Sequence, residues 1–179
     1  MKWYIGVDPG LQGGLGLIDG GGRAVEYGRM PDITSIDRFF RNAVIASGGR
    51  LAVVYEEHKG GGPDTNANVH KSAGRFIGIF ETLCCIHGVP MHKITPQVWK
   101  AELQLIQRAE KRPKDAPKLS KAEKHKLLLE TRKKAKAASC QRARELFPGI
   151  NLVFPRCTTE HDGVAESLLT AEFGRRKRL

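Results

Sequence analysis

The alternation of apolar and polar positions divides the chain into short strands followed by longer helical stretches. Residues 2–8 (KWYIGVD) are apolar and β-prone, and they stop at Pro9-Gly10, which predicts a first strand. Residues 13–18 and 23–29 continue as two more strands around the Gly20-Gly21-Gly22 turn, so an antiparallel meander opens the chain. Residues 34–47 begin with Thr and Ser, carry apolar residues at helical spacing and end before Gly48-Gly49, which predicts a helix. Residues 51–57 (LAVVYEE) form a nearly unbroken apolar run that ends in acid, as a buried central strand does.

The Gly-rich polar segment 58–68 reads as a loop, and 69–87 as a helix with the stripe Phe76, Ile77, Phe80, Leu83 and a cap at Gly88. Phe76 is expected in the core. A short strand over 89–94 and a helix over 96–105 follow, with Pro96 in a first-turn position after Thr95. The Lys-rich stretch 107–136 contains Pro113 and Pro117 and then turns helical. Residues 139–147 continue as a helix to Pro148-Gly149, and 161–173 form the last one. The order βββαβαβα predicts an α/β fold, a mixed five-stranded sheet flanked by helices, without internal repeats.

Composition narrows the class. The chain has 179 residues, 40% of them apolar, and a mean hydropathy of −0.36, as expected for a single globular domain. No run approaches the ~20 apolar residues that cross a bilayer. The N-terminus reads as a strand rather than a signal peptide, so a cytoplasmic protein with no membrane partner is expected. Cys84, Cys85, Cys140 and Cys157 form no CxxC pair and read as small buried hydrophobes. His58, His70, His87, His92 and His125 lack the HxxxH spacing of a zinc site.

Charge adds a partner. The net charge is +11, which favours a polyanion. It is concentrated: residues 108–144 hold 14 Lys and Arg against 4 Asp and Glu, and RRKR at 175–178 forms a second cluster. The stretch 107–136 reads either as a solvated arm or as a DNA-contacting element.

Against that basic background stands a set of acids on separate elements. Asp8 ends the first strand, Glu56 and Glu57 end the central strand, and Asp162 and Glu166 share a face of the last helix at i, i+4. Phosphodiester hydrolysis by two metal ions needs carboxylates gathered this way. Each has a plainer reading: Asp8 as a turn residue, the glutamates as a solvated strand end, Asp162 as a helix cap. Either Glu56 or Glu57 could face Asp8, depending on register, and Glu56 is preferred because it directly follows the apolar run. A purely nucleic-acid-binding module would have no reason to collect acids that repel phosphate.

IGVDPG at 5–10, VVYE at 53–56, GRFIG at 74–78, TPQVWK at 95–100 and HDGVAESLLTAEFG at 161–174 together resemble the RuvC-type Holliday junction resolvases, in particular their phage and prophage branch. The resemblance covers most of the chain, and its end motifs are the specific ones. It implies an RNase H-like fold, a homodimer, a bacterial or phage-infected host cell, and nicking of four-way DNA junctions with Mg2+ or Mn2+, two ions per site. No nucleotide cofactor is implied. Asp8 matches the family's first catalytic and metal-binding Asp, Glu56 its strand-end Glu, and Asp162 and Glu166 its final acidic pair. Lys136, ahead of Ala-Ala-Ser139, resembles the lysine of a KxxS segment, there either to offset charge at the scissile phosphate or to make a surface phosphate contact. Lys133, Lys134 and Arg142 are further DNA-binding candidates. His161 is one for proton transfer or substrate contact, or is a plain helix-start residue.

The sequence departs from the family in two places. The final pair is Asp and Glu four apart, where cellular members carry two closer aspartates. The loop at 58–68 has no aromatic to stack on an opened base pair. Other readings are a YqgF-like nuclease acting on RNA or on other branched DNA, a non-catalytic binding module, and an actin/sugar-kinase-like ATP-binding domain. The last of these needs a longer chain.

Overall fold

A computed structural model describes residues 1–30, 32–57, 67–106 and 120–179. The loop expected at 58–68 and the first part of the Lys-rich stretch lie largely outside these residues. The elements are β1 (Trp3–Asp8), β2 (Gly14–Ile18), β3 (Ala24–Arg29), α1 (Ile33–Ala46), β4 (Leu51–Glu56), α2 (Ala67–His87), β5 (Met91–Ile94), α3 (Pro96–Glu102), α4 (Lys121–Leu146) and α5 (Asp162–Lys177).

The strands form one sheet in the order β3-β2-β1-β4-β5. β1, β2 and β3 pair antiparallel as the meander requires, while β4 and β5 run parallel to β1 and to each other. The sheet is therefore mixed, with β1 and β4 at its centre. Successive side chains of a strand point to opposite faces, and two cores follow from that rule. Ile5, Val7, Leu15, Leu17, Leu51 and Val53 meet α1 and α2 on one face, where Phe76 is buried among them. Tyr4, Ile18, Ala52 and Val54 meet α5, α4 and α3 on the other.

The face carrying α5 is the closer packed. All of α5 from Gly163 to Gly174 is buried except Glu166, which is partly exposed. The approach is possible because β1 carries glycine where the helix crosses: a Cβ on Gly6 would stand 1.8 Å from the Ser167 carbonyl oxygen. At the helix start, a Cβ on Gly163 would stand 2.5 Å from the Gln12 carbonyl oxygen and 2.9 Å from the Asp8 carboxylate.

Several element boundaries differ from expectation. α1 is capped by Asp32, whose side chain accepts from the Ser35 N–H, rather than by Thr34 or Ser35. The fifth strand begins at Met91, because Pro90 has no N–H to pair. α3 ends at Glu102, and the chain then turns through Gln104 at φ 60°. α4 is one helix of 26 residues that joins the Lys-rich helical run to the 139–147 segment. Ser120 and Glu123 form a capping box at its start, and no proline interrupts it. α5 runs on to Lys177, four residues past the expected end. Cys84 and Cys140 are buried as expected, but Cys85 is exposed and Cys157 partly so; none is in a disulfide. No helix among the described residues is long and apolar enough to cross a membrane.

Candidate active site

A cleft of about 440 Å³ opens where the C-terminal ends of β1 and β4 meet the N-terminal end of α5. It is lined by Asp8, Pro9 to Gly13, Glu56, Ser72, Lys136, Asp162 and Glu166. Strand register explains the convergence. Tyr4, Gly6 and Asp8 lie on one side of β1, Ala52, Val54 and Glu56 on the same side of β4, and Tyr4 and Val54 belong to the core beneath α5. Asp8 and Glu56 continue those two rows past the edge of that core. Glu57 falls on the opposite side and pairs with Lys93 at 3.0 Å. The pleat therefore places Glu56, not Glu57, beside Asp8.

Asp162 and Glu166 occupy the first two turns of α5. The helix is capped by His161, whose Nδ1 accepts from the Val164 N–H at 3.3 Å. Asp162 is thus left facing the cleft at the positive end of the helix dipole. Three of these carboxylates act on the fourth. Burial, reinforced by Glu166, Glu56 and Asp162, pushes the Asp8 carboxyl well above the usual range, and Lys100 opposes this.

Around the acids lies a set of polar groups that the sequence did not single out. The Trp99 indole N–H donates to Glu56 Oε2 at 2.7 Å, the Ser139 hydroxyl donates to Glu166 Oε1 at 2.9 Å, and Lys100 Nζ stands 3.1 Å from that same oxygen. Trp99 and Lys100 lie inside TPQVWK, and Ser139 ends the KxxS segment, so the motifs were visible but the atoms they serve were not. Lys136 lines the cleft, its Nζ 2.8 Å from Asp162 Oδ2.

Other candidates sit elsewhere. Lys133 and Lys134 are exposed on α4 and do not line the cleft. Arg142 pairs with Glu145 at 2.9 Å on the surface of that helix. His161 also meets the Phe154 ring edge-on at 5.9 Å. Burial, with Arg29, holds its imidazole below the ordinary value, partly offset by Asp162. The basic cluster at 175–178 is largely engaged within the fold: Arg175 and Arg176 bind Glu172, and Lys177 binds Glu102 at 2.6 Å.

The donor set is made of carboxylate oxygens, the ligands that hard divalent cations such as Mg2+ prefer. Among the described residues, no three such side chains stand close enough together to enclose an ion as placed. Burial, and the acids around it, disfavour the charged form of Asp8, a form that a bound cation stabilises.

No protein-family model and no curated protein sequence matches the chain. Solved structures do. The chain superposes on Thermus thermophilus RuvC in complex with a Holliday junction substrate with a TM-score of 0.59 at 16% identity, covering 99% of this chain and 96% of that one. A second Thermus thermophilus RuvC structure matches with a TM-score of 0.57 at 17% identity, covering 98% and 96%. The likeness is one of fold: a RuvC-like, RNase H-like mixed sheet with flanking helices.

Proposed function

We propose that this protein is a divalent-metal-dependent endonuclease that resolves four-way DNA junctions. The observation that carries the reading is the convergence of Asp8, Glu56, Asp162 and Glu166 from β1, β4 and α5 on one cleft, at a strongly charged cost to Asp8. A structural role does not require four like charges in one place, and self-repulsion opposes it. A fold shared with a resolvase bound to its junction supports the choice of substrate. The Asp-to-Glu spacing on α5 supports the phage and prophage branch of that family.

The four carboxylates would hold Mg2+ or Mn2+, which supplies an activated water and stabilises the leaving oxygen. The chain's own residues prepare the site. Trp99 fixes one oxygen of Glu56, and Ser139 with Lys100 fixes one oxygen of Glu166, which holds both carboxylates in place at the cleft. Lys136 brings a positive charge to the cleft wall, where a scissile phosphate would need it. Arg142, Lys133 and Lys134 add attraction for the phosphate backbone at longer range. His161 holds the start of α5 and thereby Asp162. Two symmetric cuts in one junction call for two such sites, hence a homodimer.

Purified protein is incubated with a synthetic four-way junction and Mg2+ or Mn2+, beside a linear duplex and an RNA/DNA hybrid. Paired nicks in the junction are expected, lost on chelation. Asp8→Asn is expected to slow cutting by about a thousandfold, some 4 kcal/mol of barrier. An uncut junction, or cutting that survives Asp8→Asn, rules the proposal out. Preferential cutting of the hybrid supports a YqgF-like RNA-directed enzyme instead.

A further inference from the structure

α4 carries a feature that the cleft does not use. Its C-terminal part packs into the core through Ser139, Cys140 and Ala143, but every residue from 121 to 137 is exposed. The helix therefore projects from the body for more than four turns. Neighbours on a helix surface are three and four residues apart. Counting back along the buried face from Ala143 through Ser139 leads to Lys136, Arg132, Leu128, His125 and Lys121. The row that begins in the core thus passes the cleft at Lys136, which touches Asp162, and continues outward along the arm.

The chemistry of the row is selective. Residues 121–136 hold seven Lys and Arg against two Glu. Both acids, Glu123 and Glu130, fall about half a turn away from the row at 3.6 residues per turn. Lys124 and Leu129 flank it. Lys121, Lys124 and Arg132 enter no ion pair among the described residues, unlike Lys136, Arg142 and Arg144 further along the same helix. Leu128 and Leu129 are 42% and 53% exposed.

Resting on the reading of the cleft as a junction nuclease, we infer that this face of α4 is a rail for one double-stranded arm of the DNA leaving the cleft, gripped by Lys121, Lys124 and Arg132. From Lys136 to Lys121 the helix rises about 22 Å. That length faces roughly six to seven base pairs at 3.4 Å per pair. The leucines between the cations offer apolar surface to the sugars, and phosphate contacts of this kind fix register without reading sequence. A second copy of the chain is the poorer occupant. In a helix pair the row would place Lys121, His125 and Arg132 at the seam against their own counterparts, where apolar residues are needed.

Binding is measured in EDTA, so that nothing is cut, as a function of salt, on a four-way junction and on a linear duplex. The Lys121→Ala/Lys124→Ala/Arg132→Ala variant is expected to lower the slope of log affinity against log salt by about two to three, near 0.9 per lost phosphate contact. Lys126→Ala/Glu130→Ala, on the remainder of the helix surface, is expected to change it by less than about one. Alanine favours helix, so both variants keep α4. A photo-crosslinking residue at 128 is expected to label a DNA arm, and one at 130 is not.

Equal slopes for the two variants, equal labelling from 128 and 130, or labelling of a second protein copy from 128 overturns the rail. The nuclease reading fails separately. If intact protein leaves the junction uncut with metal while the slopes and crosslinks behave as expected, the rail stands and the cleft assignment falls.

Discussion

α5 and α4 lie side by side and both reach the cleft, yet they are built on opposite principles. α5 is a 16-residue helix buried from Gly163 to Gly174 apart from Glu166, seated on β1 at a distance only glycine permits. α4 is ten residues longer, and just three of its residues are buried. α5 brings carboxylates, whose spacing has to hold against mutual repulsion. α4 brings Lys136 and Ser139, a cation and a hydroxyl, from the point where the helix leaves the core. A rigid platform suits the first task, and a solvated arm of flexible lysines suits attraction of a polyanion. The α5 side of the cleft is set by packing, and the α4 side is set by charge.

Substitutions that treat the two helices alike are the way to break this contrast. The largest effect is expected from Gly6→Ala, whose Cβ would collide with the Ser167 carbonyl. Overpacking there should cost about 3 kcal/mol in urea unfolding, with activity falling as α5 and its acids are displaced. A loss below about 1 kcal/mol would mean that α5 is not seated as tightly as its contacts indicate.

The far end of α5 provides the next test. Glu172 is 4% exposed. Burial alone would raise its carboxyl, but hydrogen bonds from Arg175 and Arg176 outweigh this and hold it below its ordinary value of 4.5. A carboxyl depressed by folding adds stability that is complete above that pH and disappears as pH falls through the folded value. Glu172→Gln should therefore cost about 2 kcal/mol near neutrality and flatten the acid limb of the stability profile. An unchanged acid limb would place the acid sensitivity on other carboxyls.

Ser139→Ala addresses the shared contact between the helices. Loss of the hydrogen bond to Glu166 should slow junction cutting by about tenfold, close to 1.4 kcal/mol, with little change in unfolding. A thermal-stability loss larger than the kinetic one would make Ser139 a packing residue first. Smallest of all is Leu128→Ala on the arm, expected to shift stability by less than about 0.5 kcal/mol although it removes a large apolar side chain. The same change in α5, Leu168→Ala, should cost several times more.

The two helices also differ in how far they could be read in advance. Asp162 and Glu166 at i, i+4 announced one face of α5, and that face does meet the cleft. The Lys-rich part of α4 read as helical, but where it begins did not announce itself, because its exposed half lacks the apolar periodicity that marks a helix. It is held instead by a capping box and by helix-favouring lysines. The run at 175–178 read only as a second basic cluster, and its partners Glu172 and Glu102 appear only in the folded chain. Trp99 and Lys100 stand 43 and 66 residues from the carboxylates they touch, a separation across which no local pattern operates.

By itself the sequence determined the order of strands and helices, the mixed sheet, the concentration of positive charge, and the delivery of acids to the ends of three elements. These follow from local rules: side-chain periodicity, turn residues and the count of charges. Tertiary structure alone decided between Glu56 and Glu57. β4 is buried on both faces, so its apolar run shows no alternation. Only its pairing with β1 reveals which glutamate continues the row of Ala52 and Val54 toward Asp8. It also decided that Lys136 lies in the cleft and that the row behind it points outward along α4. A cation's role depends on what stands opposite it, and that is set by how α4 packs against α5.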